Sequence, residues 1–115
     1  MKKPEEGYLS FIRKTMLPLP GVTEGICFRT AAFYVSKKLL ARIKEDGETL
    51  MVYTPDRDEW MSRDSIVFFI TEHYRNYPSV LVNLSKVKSR DLVKILKEAW
   101  RARAGKKLLQ QVGFS

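Results

Sequence analysis

The sequence predicts an α+β fold, in which an antiparallel sheet packs against an N-terminal and a C-terminal helix. Apolar residues recur at helical spacing near both ends of the chain, and between them lie short β-like runs separated by turn-forming residues. Strands do not alternate with long helical segments, as they would in a parallel sheet. With 115 residues, of which 44% are hydrophobic, the chain is long enough to fold around one core without disulfides or metals.

We therefore expect one domain over residues 1–115, with its core at about residues 5–104 and a tail at residues 105–115. An amphipathic helix is predicted at residues 5–17, because its apolar residues gather on one side and two prolines follow it. Strands are expected after this helix, at residues 24–28, 31–35, 39–44 and 49–53.

Two hairpin turns are expected between these strands. Asp46-Gly47 is a favourable two-residue turn before the fourth strand, because both of its residues tolerate positive φ. Ser36-Lys37-Lys38 is a less typical turn between the second and third strands. A short helix is then predicted at residues 56–63, with acidic residues in its first turn, where the helix dipole favours them.

The second half of the chain contains two further apolar runs and a long amphipathic pattern. Buried strands are predicted at residues 67–70 and 80–84, separated by the polar and aromatic segment 71–78. Ser89 is the expected N-cap of a last helix that ends near Gly105. The core-facing stripe of this helix is expected to consist of Leu92, Ile95, Leu96, Ala99 and Trp100.

Positive charge is concentrated in the C-terminal part of the chain. The net charge is +8, and residues 86–107 contain nine lysines and arginines but only two acidic residues. Such asymmetry raises the local concentration of polyanions or anionic lipid. The candidate nucleic-acid contacts are Lys37, Lys38, Lys86, Lys88, Arg90, Lys94, Lys97, Arg101 and Arg103. Each would bind a phosphate rather than read a base. The alternative is a solvated helix face whose cationic end interacts favourably with the helix dipole.

A second candidate surface lies around the aromatic segment 73–78, which would line a groove for a small ligand or a protein partner. Its residues are Trp60, His73, Tyr74, Arg75 and Tyr77. His73 is the sole histidine, and it suits proton transfer with Glu72 or Tyr74, base stacking, or a structural role in which its ring nitrogens bind buried backbone groups. We favour the structural role.

The sequence offers no recognisable catalytic or metal-binding arrangement, so we expect neither enzymatic activity nor a cofactor. No serine or cysteine nucleophile is paired with His73 by a known motif, and one histidine is too few for a usual zinc site. Cys27, the only cysteine, is expected to be a buried apolar residue of a strand. One cysteine excludes an intramolecular disulfide, and no run approaches the roughly 20 apolar residues of a membrane span, so we expect a cytoplasmic protein.

Several segments resemble the MmcQ/YjbR family, whose members have a fold related to that of the bacterial frataxin homologue (CyaY-like). These segments are Leu19–Glu24, Thr30–Val35, Lys38–Arg42, Phe68–Val82 and Ala99-Trp100. Their order and spacing cover about residues 8–103. The resemblance implies the same α+β fold and, as the activity proposed for the family, DNA binding through hairpins that lie beside helices.

Two departures from the family pattern bear on function. Ser36-Lys37-Lys38 stands where many relatives are glycine-rich, which makes one hairpin tip more basic than usual. A frataxin-like iron site needs an acidic first helix, whereas this helix offers only Glu5 and Glu6, followed by Arg13 and Lys14. We therefore expect no bound metal, and DNA recognised with low sequence specificity as the leading partner.

Overall fold

In the computed structural model, which describes residues 4–111, the first half of the chain forms a helix followed by four strands. They are α1 (Pro4–Met16), β1 (Val22–Cys27), β2 (Thr30–Val35), β3 (Lys38–Ile43) and β4 (Thr49–Tyr53). The second half forms α2 (Arg57–Arg63), β5 (Phe68–Phe69), a 3₁₀ turn (Glu72–Tyr74), β6 (Ser79–Asn83), α3 (Ser89–Arg103) and α4 (Lys106–Gln111). Observed and predicted boundaries mostly agree to within one residue, but β5 is shorter than expected.

The strands form one antiparallel sheet in the order β1-β2-β3-β4-β6-β5, so the predicted α+β fold is confirmed. The first four strands are a meander of hairpins, and β6 adds to the free edge of β4 with Leu50 opposite Val82. Strand β5 pairs only with β6 and forms the far edge.

Helices α1 and α3 cover one face of the sheet and enclose the core. The predicted stripe of α3 is buried as expected, and it meets Ile12 and Met16 of α1. The sheet contributes alternate residues, for example Leu50 and Val52 of β4 and Val80 and Val82 of β6. The intervening residues of these strands point to the opposite face, which the helices leave open.

A β-bulge in β3 changes which of its residues face the core. Phe33 lies opposite Ala41 and Tyr34 opposite Leu39, so Leu40 has no partner in the ladder. Leu40 and Ala41 are therefore both buried in the core, whereas Leu39 and Arg42 lie on the open face. Without the extra residue, strict alternation would place Arg42 and Leu40 on the same side.

Both tight hairpin turns of the meander use residues that rarely adopt positive φ. Phe28 and Arg29 have φ of 50° and 69°, and Ser36 and Lys37 have φ of 50° and 65°. These pairs are two-residue loops, a length at which positive φ matches the twist of the strands. Positive φ costs roughly 1–2 kcal/mol for each residue other than glycine. Because neither Phe28 nor Arg29 favours this conformation, the sequence does not predict a turn there.

The two-residue turn predicted at Asp46-Gly47 is wrong. The connection between β3 and β4 is wider: the Gly47 amide donates to the Lys44 carbonyl over 3.0 Å, and only Gly47 of the pair has positive φ. The Asp46 carboxylate instead accepts hydrogen bonds from the Glu48 and Thr49 amides and the Thr49 hydroxyl. The Asp46 side chain therefore stabilises a wider loop in place of the predicted two-residue turn.

The ends of α3 also differ from the prediction. The residue at the N-cap is Lys88, not Ser89, and no side chain caps the helix. The C-cap is Ala104, and the expected tail contains a further helix, α4, whose Leu108 and Leu109 pack against the core. Residues 112–115 of the predicted tail, like the side chains of Glu5 and Glu6, lie outside the described residues.

One ion pair joins the end of α1 to β1. The Arg13 guanidinium donates two hydrogen bonds to the Glu24 carboxylate, over 2.8 and 2.7 Å. This hydrogen bonding lowers the pKa of Glu24 below its ordinary value of 4.5. The pair therefore stabilises the fold fully above about pH 4.5, and its contribution is lost as the pH falls through the lower pKa of the folded state.

We expect R13Q to lower the urea midpoint slightly at pH 7 and to have no effect at a pH where Glu24 is protonated. Urea unfolding of both proteins between pH 7 and pH 3 checks this. R75Q is the control, because Arg75 makes a single 3.3 Å contact with Glu72 and both side chains are largely exposed. An equal loss of stability at all pH values would show that Arg13 acts through packing and not through the ion pair.

Candidate functional site

The basic residues predicted to bind nucleic acid are spread over both ends of α3. Lys86 and Lys88 lie at its N-terminal end, around a hollow that Asp64 and Asp91 also line. Arg90 is exposed in the first turn. A helix of 15 residues is about 20 Å long, so these cations lie far from the C-terminal end of α3.

The middle of the exposed side of α3 carries mixed charge. Lys94 and Lys97 are exposed, but Glu98 lies beside them and accepts a hydrogen bond from the Trp60 ring nitrogen over 3.3 Å. Asp56 and Glu98 share a surface hollow with Arg101. Glu98 of α3 itself and Asp56, the residue before α2, therefore place acidic groups on the side of α3 that was predicted to be basic.

Helix α4 packs close to the strand that leads into the predicted hairpin tip. Lys37 and Lys38 are exposed after Val35, and Lys106 and Lys107 are exposed at the start of α4. Leu108 of α4 and Val35 both lie close to the Cα of Gly21, within 3.5 Å of where a Cβ would stand. We call these four lysines the basic end of the molecule. Residues 36–44 and 99–111, which surround them, contain no acidic residue.

Arg103 does not join the other basic residues of α3. Its guanidinium carbon lies 3.7 Å from the centre of the Tyr53 ring, and its Nη1 donates to the Leu39 carbonyl over 3.3 Å. The side chain is half-buried. The structure thus directs this arginine onto the open face of the sheet.

A cleft of about 440 Å³ lies on this open face. Its floor contains Met51 and Tyr53 of β4, and the segment between β5 and β6 forms one of its walls through His73, Tyr74 and Tyr77. Phe28 from the strained first turn is another wall residue. We call this the aromatic cleft. Its volume falls within the range of about 300–1,000 Å³ that is usual for small-ligand sites.

The cleft contains three cationic side chains. Arg42 of β3 and Lys44, the residue that follows β3, both line the cleft, and Arg103 reaches it from α3. Lys44 Nζ donates to the Tyr74 hydroxyl over 2.7 Å. The Arg42 guanidinium lies 5.2 Å from the centre of the Phe28 ring, at a typical cation–π distance.

The wall of the cleft is held in place by Arg57 of α2. Its Nη1 donates to the carbonyls of Tyr74 and Tyr77, over 2.9 and 2.6 Å, and more distantly to that of Ser79. Its Nη2 donates to the Arg75 carbonyl over 2.9 Å. One side chain thus satisfies carbonyls of a segment that has almost no regular structure of its own.

Three of the five residues predicted around the aromatic segment meet in the cleft. The ring centres of His73 and Tyr74 are 5.0 Å apart, and those of His73 and Tyr77 are 6.0 Å apart. Trp60 does not belong to this surface, because it is only 2% exposed and packs on Phe68. Arg75 is exposed and pairs with Glu72, and it does not line the cleft.

The structural role that we favoured for His73 is wrong. Its side chain is exposed, and in the described part of the chain it makes ring contacts with Tyr74 and Tyr77 but no hydrogen bond to a buried backbone group. No hydrogen bond within residues 4–111 joins it to Glu72 or Tyr74. Cys27 is partly buried and lines the cleft, near Tyr34, whose pKa is raised chiefly by burial and then by Cys27.

Sequence reasoning assigned Arg42, Lys44 and Arg57 to neither candidate surface. The first two gave a usable signal, because a basic residue at every second position of an apolar strand marks one face. Arg57 gave none, since its partners are carbonyl groups 17–22 residues away. Over the described ranges, no three His, Cys, Asp or Glu side chains cluster as metal ligands would, and no helix is both long and apolar enough to cross a membrane.

Comparison with known proteins identifies a shared fold but assigns no activity to this chain. No family model matches the chain. Uncharacterised proteins of Mycobacterium bovis and Mycobacterium tuberculosis are 46% identical to it over 44 residues, which is 38% of this chain. The match spans about a third of the length of these relatives, 34%.

A solved structure matches most of the chain. The crystal structure of the Deinococcus radiodurans protein DR2400, with a DUF419 domain, aligns with a TM-score of 0.70 over 93% of this chain and 88% of that one. The two chains share the fold. Their sequence identity over the match is 20%, so the similarity shows the fold alone and assigns no role to any residue.

Proposed function

We propose that this protein binds DNA without enzymatic activity, through contacts of its basic end with the phosphate backbone. The observation that supports this most directly is the packing of Leu108 and Val35 around Gly21, which brings the segment that carries Lys106 and Lys107 close to the strand that leads into Lys37 and Lys38. Lysines on adjacent exposed segments neutralise successive phosphates and release their counterions. They contact no base edges, so the recognition has low sequence specificity.

Membership of the MmcQ/YjbR family is part of this proposal. The fold shared with a DUF419 protein supports it, because DUF419 is related to the MmcQ/YjbR fold family. A hairpin tip beside a C-terminal helix also suits the double-wing mode of DNA binding proposed for that family. A cytoplasmic location accompanies this role, and the use of a single cysteine agrees with it.

We expect K37Q/K38Q to weaken binding to a random-sequence 12-base-pair duplex about tenfold at low salt. It should also make the slope of log K against log salt shallower by about 2, because each lost phosphate contact contributes roughly 0.9. Fluorescence anisotropy with the labelled duplex at several salt concentrations between about 50 and 200 mM measures both quantities.

The matched control is K86Q/K88Q, which removes the same charge from the opposite end of α3. It should change affinity much less, because Asp64 and Asp91 lie beside these lysines. If both variants lose the same affinity for the duplex, binding depends only on the net charge of the protein and not on the basic end. No binding by the wild-type protein at low salt would end the proposal altogether.

A further inference from the structure

The aromatic cleft contains unused donors on a nearly buried cation. The Arg42 side chain is only 6% exposed. Within the described residues all its hydrogen bonds leave from Nη1, to Thr30, Ile43 and Glu45. No fully buried side-chain nitrogen or oxygen of the described structure lacks a partner, so Nε and Nη2 retain access to open space. Arg42 lines the cleft, and its free edge is suited to two oxygens of one anion.

The charge of the cleft indicates the charge of its occupant. Arg42, Lys44 and Arg103 line it, and no carboxylate of the described residues does. Glu45 offsets part of this charge from outside, 3.1 Å from Arg42 and 3.9 Å from Lys44, with 64% of its side chain exposed. A net charge of about +2 remains. This balances a phosphate monoester, which carries about −1.5 to −2 at neutral pH.

The aromatic rings of the cleft indicate the chemistry of the rest of the ligand. Phe28 is 77% exposed and Tyr77 is 55% exposed, so two large ring faces at the rim are open to water. His73 contacts Tyr77 and is exposed as well. Planar aromatic rings such as nucleic-acid bases stack on such faces. Phe28 lies in a turn with positive φ, and its ring lines the cleft beside Arg42.

We propose that the aromatic cleft binds a small aromatic phosphate monoester of the mononucleotide class, with the phosphate on Arg42, Lys44 and Arg103 and the base among Phe28, His73 and Tyr77. This site is separate from the basic end, and its function does not depend on binding of duplex DNA. The occupant is the free mononucleotide. A nucleotide within a single-stranded nucleic acid presents the same kinds of groups, a base and a phosphate. Competition with a single-stranded oligonucleotide distinguishes the two ligands.

The probes are the four ribonucleoside 5′-monophosphates, with the nucleosides and inorganic phosphate as partial ligands. Titration of the ¹⁵N-labelled protein, followed by amide chemical shifts, should show at least one mononucleotide saturating with a Kd of about 1 mM or tighter. The shifts should cluster at β3, β4 and residues 73–79. The matching nucleoside and phosphate alone should each bind at least about tenfold more weakly, because each makes only one half of the contacts.

Variants locate the site. R103Q and K44Q should each weaken the mononucleotide about tenfold by removing a charged contact. Y77A changes an exposed ring and should weaken it without unfolding the protein. K94Q, on the far side of the molecule, should leave mononucleotide affinity unchanged, as should K37Q/K38Q, which keeps the test independent of the proposal for DNA.

Three results would overturn this assignment. They are the absence of shifts in the cleft at about 10 mM mononucleotide, equal affinity for nucleoside and nucleotide, and unchanged affinity in R103Q and K44Q. If a much lower concentration of single-stranded oligonucleotide displaces the mononucleotide, the natural ligand of the cleft is a nucleic-acid strand and not a free mononucleotide.

Discussion

Replacing Arg57 with methionine is expected to lower the free energy of unfolding by about 2–4 kcal/mol. The guanidinium donates to four carbonyls of one wall segment, and a hydrogen bond to a charged group contributes roughly 1.5–3 kcal/mol. The bonds share one cation and two are partly solvated, so their contributions are not additive. Methionine keeps the apolar stem, so the loss reports on the hydrogen bonds.

Urea unfolding measures this loss, and hydrogen exchange of the amides of residues 74–79 should show faster local opening. R57M should also weaken mononucleotide binding in the cleft, since Tyr74 and Tyr77 lose their anchor. R75M is the control, because Arg75 is 71% exposed and its side chain pairs only with Glu72 within the described residues. A stability of R57M within about 0.5 kcal/mol of the wild type would show that the wall does not depend on Arg57.

Replacing Trp100 with alanine is expected to destabilise the protein by about 3–5 kcal/mol, the range for truncating a large buried aromatic side chain. Trp100 is completely buried between the helices and the sheet. Its ring nitrogen also donates to the Pro20 carbonyl over 2.8 Å, which connects α3 to the segment after α1. The variant loses both the packing and a partner for that carbonyl.

W100F separates the two contributions. It retains most of the buried ring area and should cost about 1–3 kcal/mol, mainly through the unsatisfied carbonyl and the small cavity. Y77A is the control, because that ring is more than half exposed and its loss should change stability little. Urea unfolding of the three variants tests the order, and a cost for W100A near that of Y77A would contradict the placement of Trp100 in the core.

Helical periodicity was the most informative signal in the sequence. The stripe from Leu92 to Trp100 is buried as predicted, because a 3.6-residue repeat specifies the buried side of a helix without reference to any partner. The strands were also found, from runs of apolar and β-branched residues. Turns were predicted less well. Asp46-Gly47 has the favoured residues for a tight turn, but the Asp46 carboxylate stabilises a wider loop.

The candidate sites were less accessible to sequence reasoning. The segment from His73 to Pro78 was identified, since aromatic residues in a polar loop are unusual, but the cations opposite it were not. Arg103 was grouped with the basic face of α3, whereas its side chain stacks on Tyr53. Lys106 and Lys107 were assigned to a tail, and the short helix they begin packs against the core through Leu108 and Leu109. Contacts between distant segments leave no periodic pattern in a single sequence.

The sequence by itself determined most of the secondary structure elements, the buried side of α3 and the excess of positive charge, because each follows from local spacing or composition. Only the tertiary structure decided which charges come together. The bulge at Leu40 directs Arg42 into the aromatic cleft, and the docking of Leu108 brings α4 close to the strand before the hairpin tip. Both depend on sheet register and helix packing, which are set by contacts across the whole core.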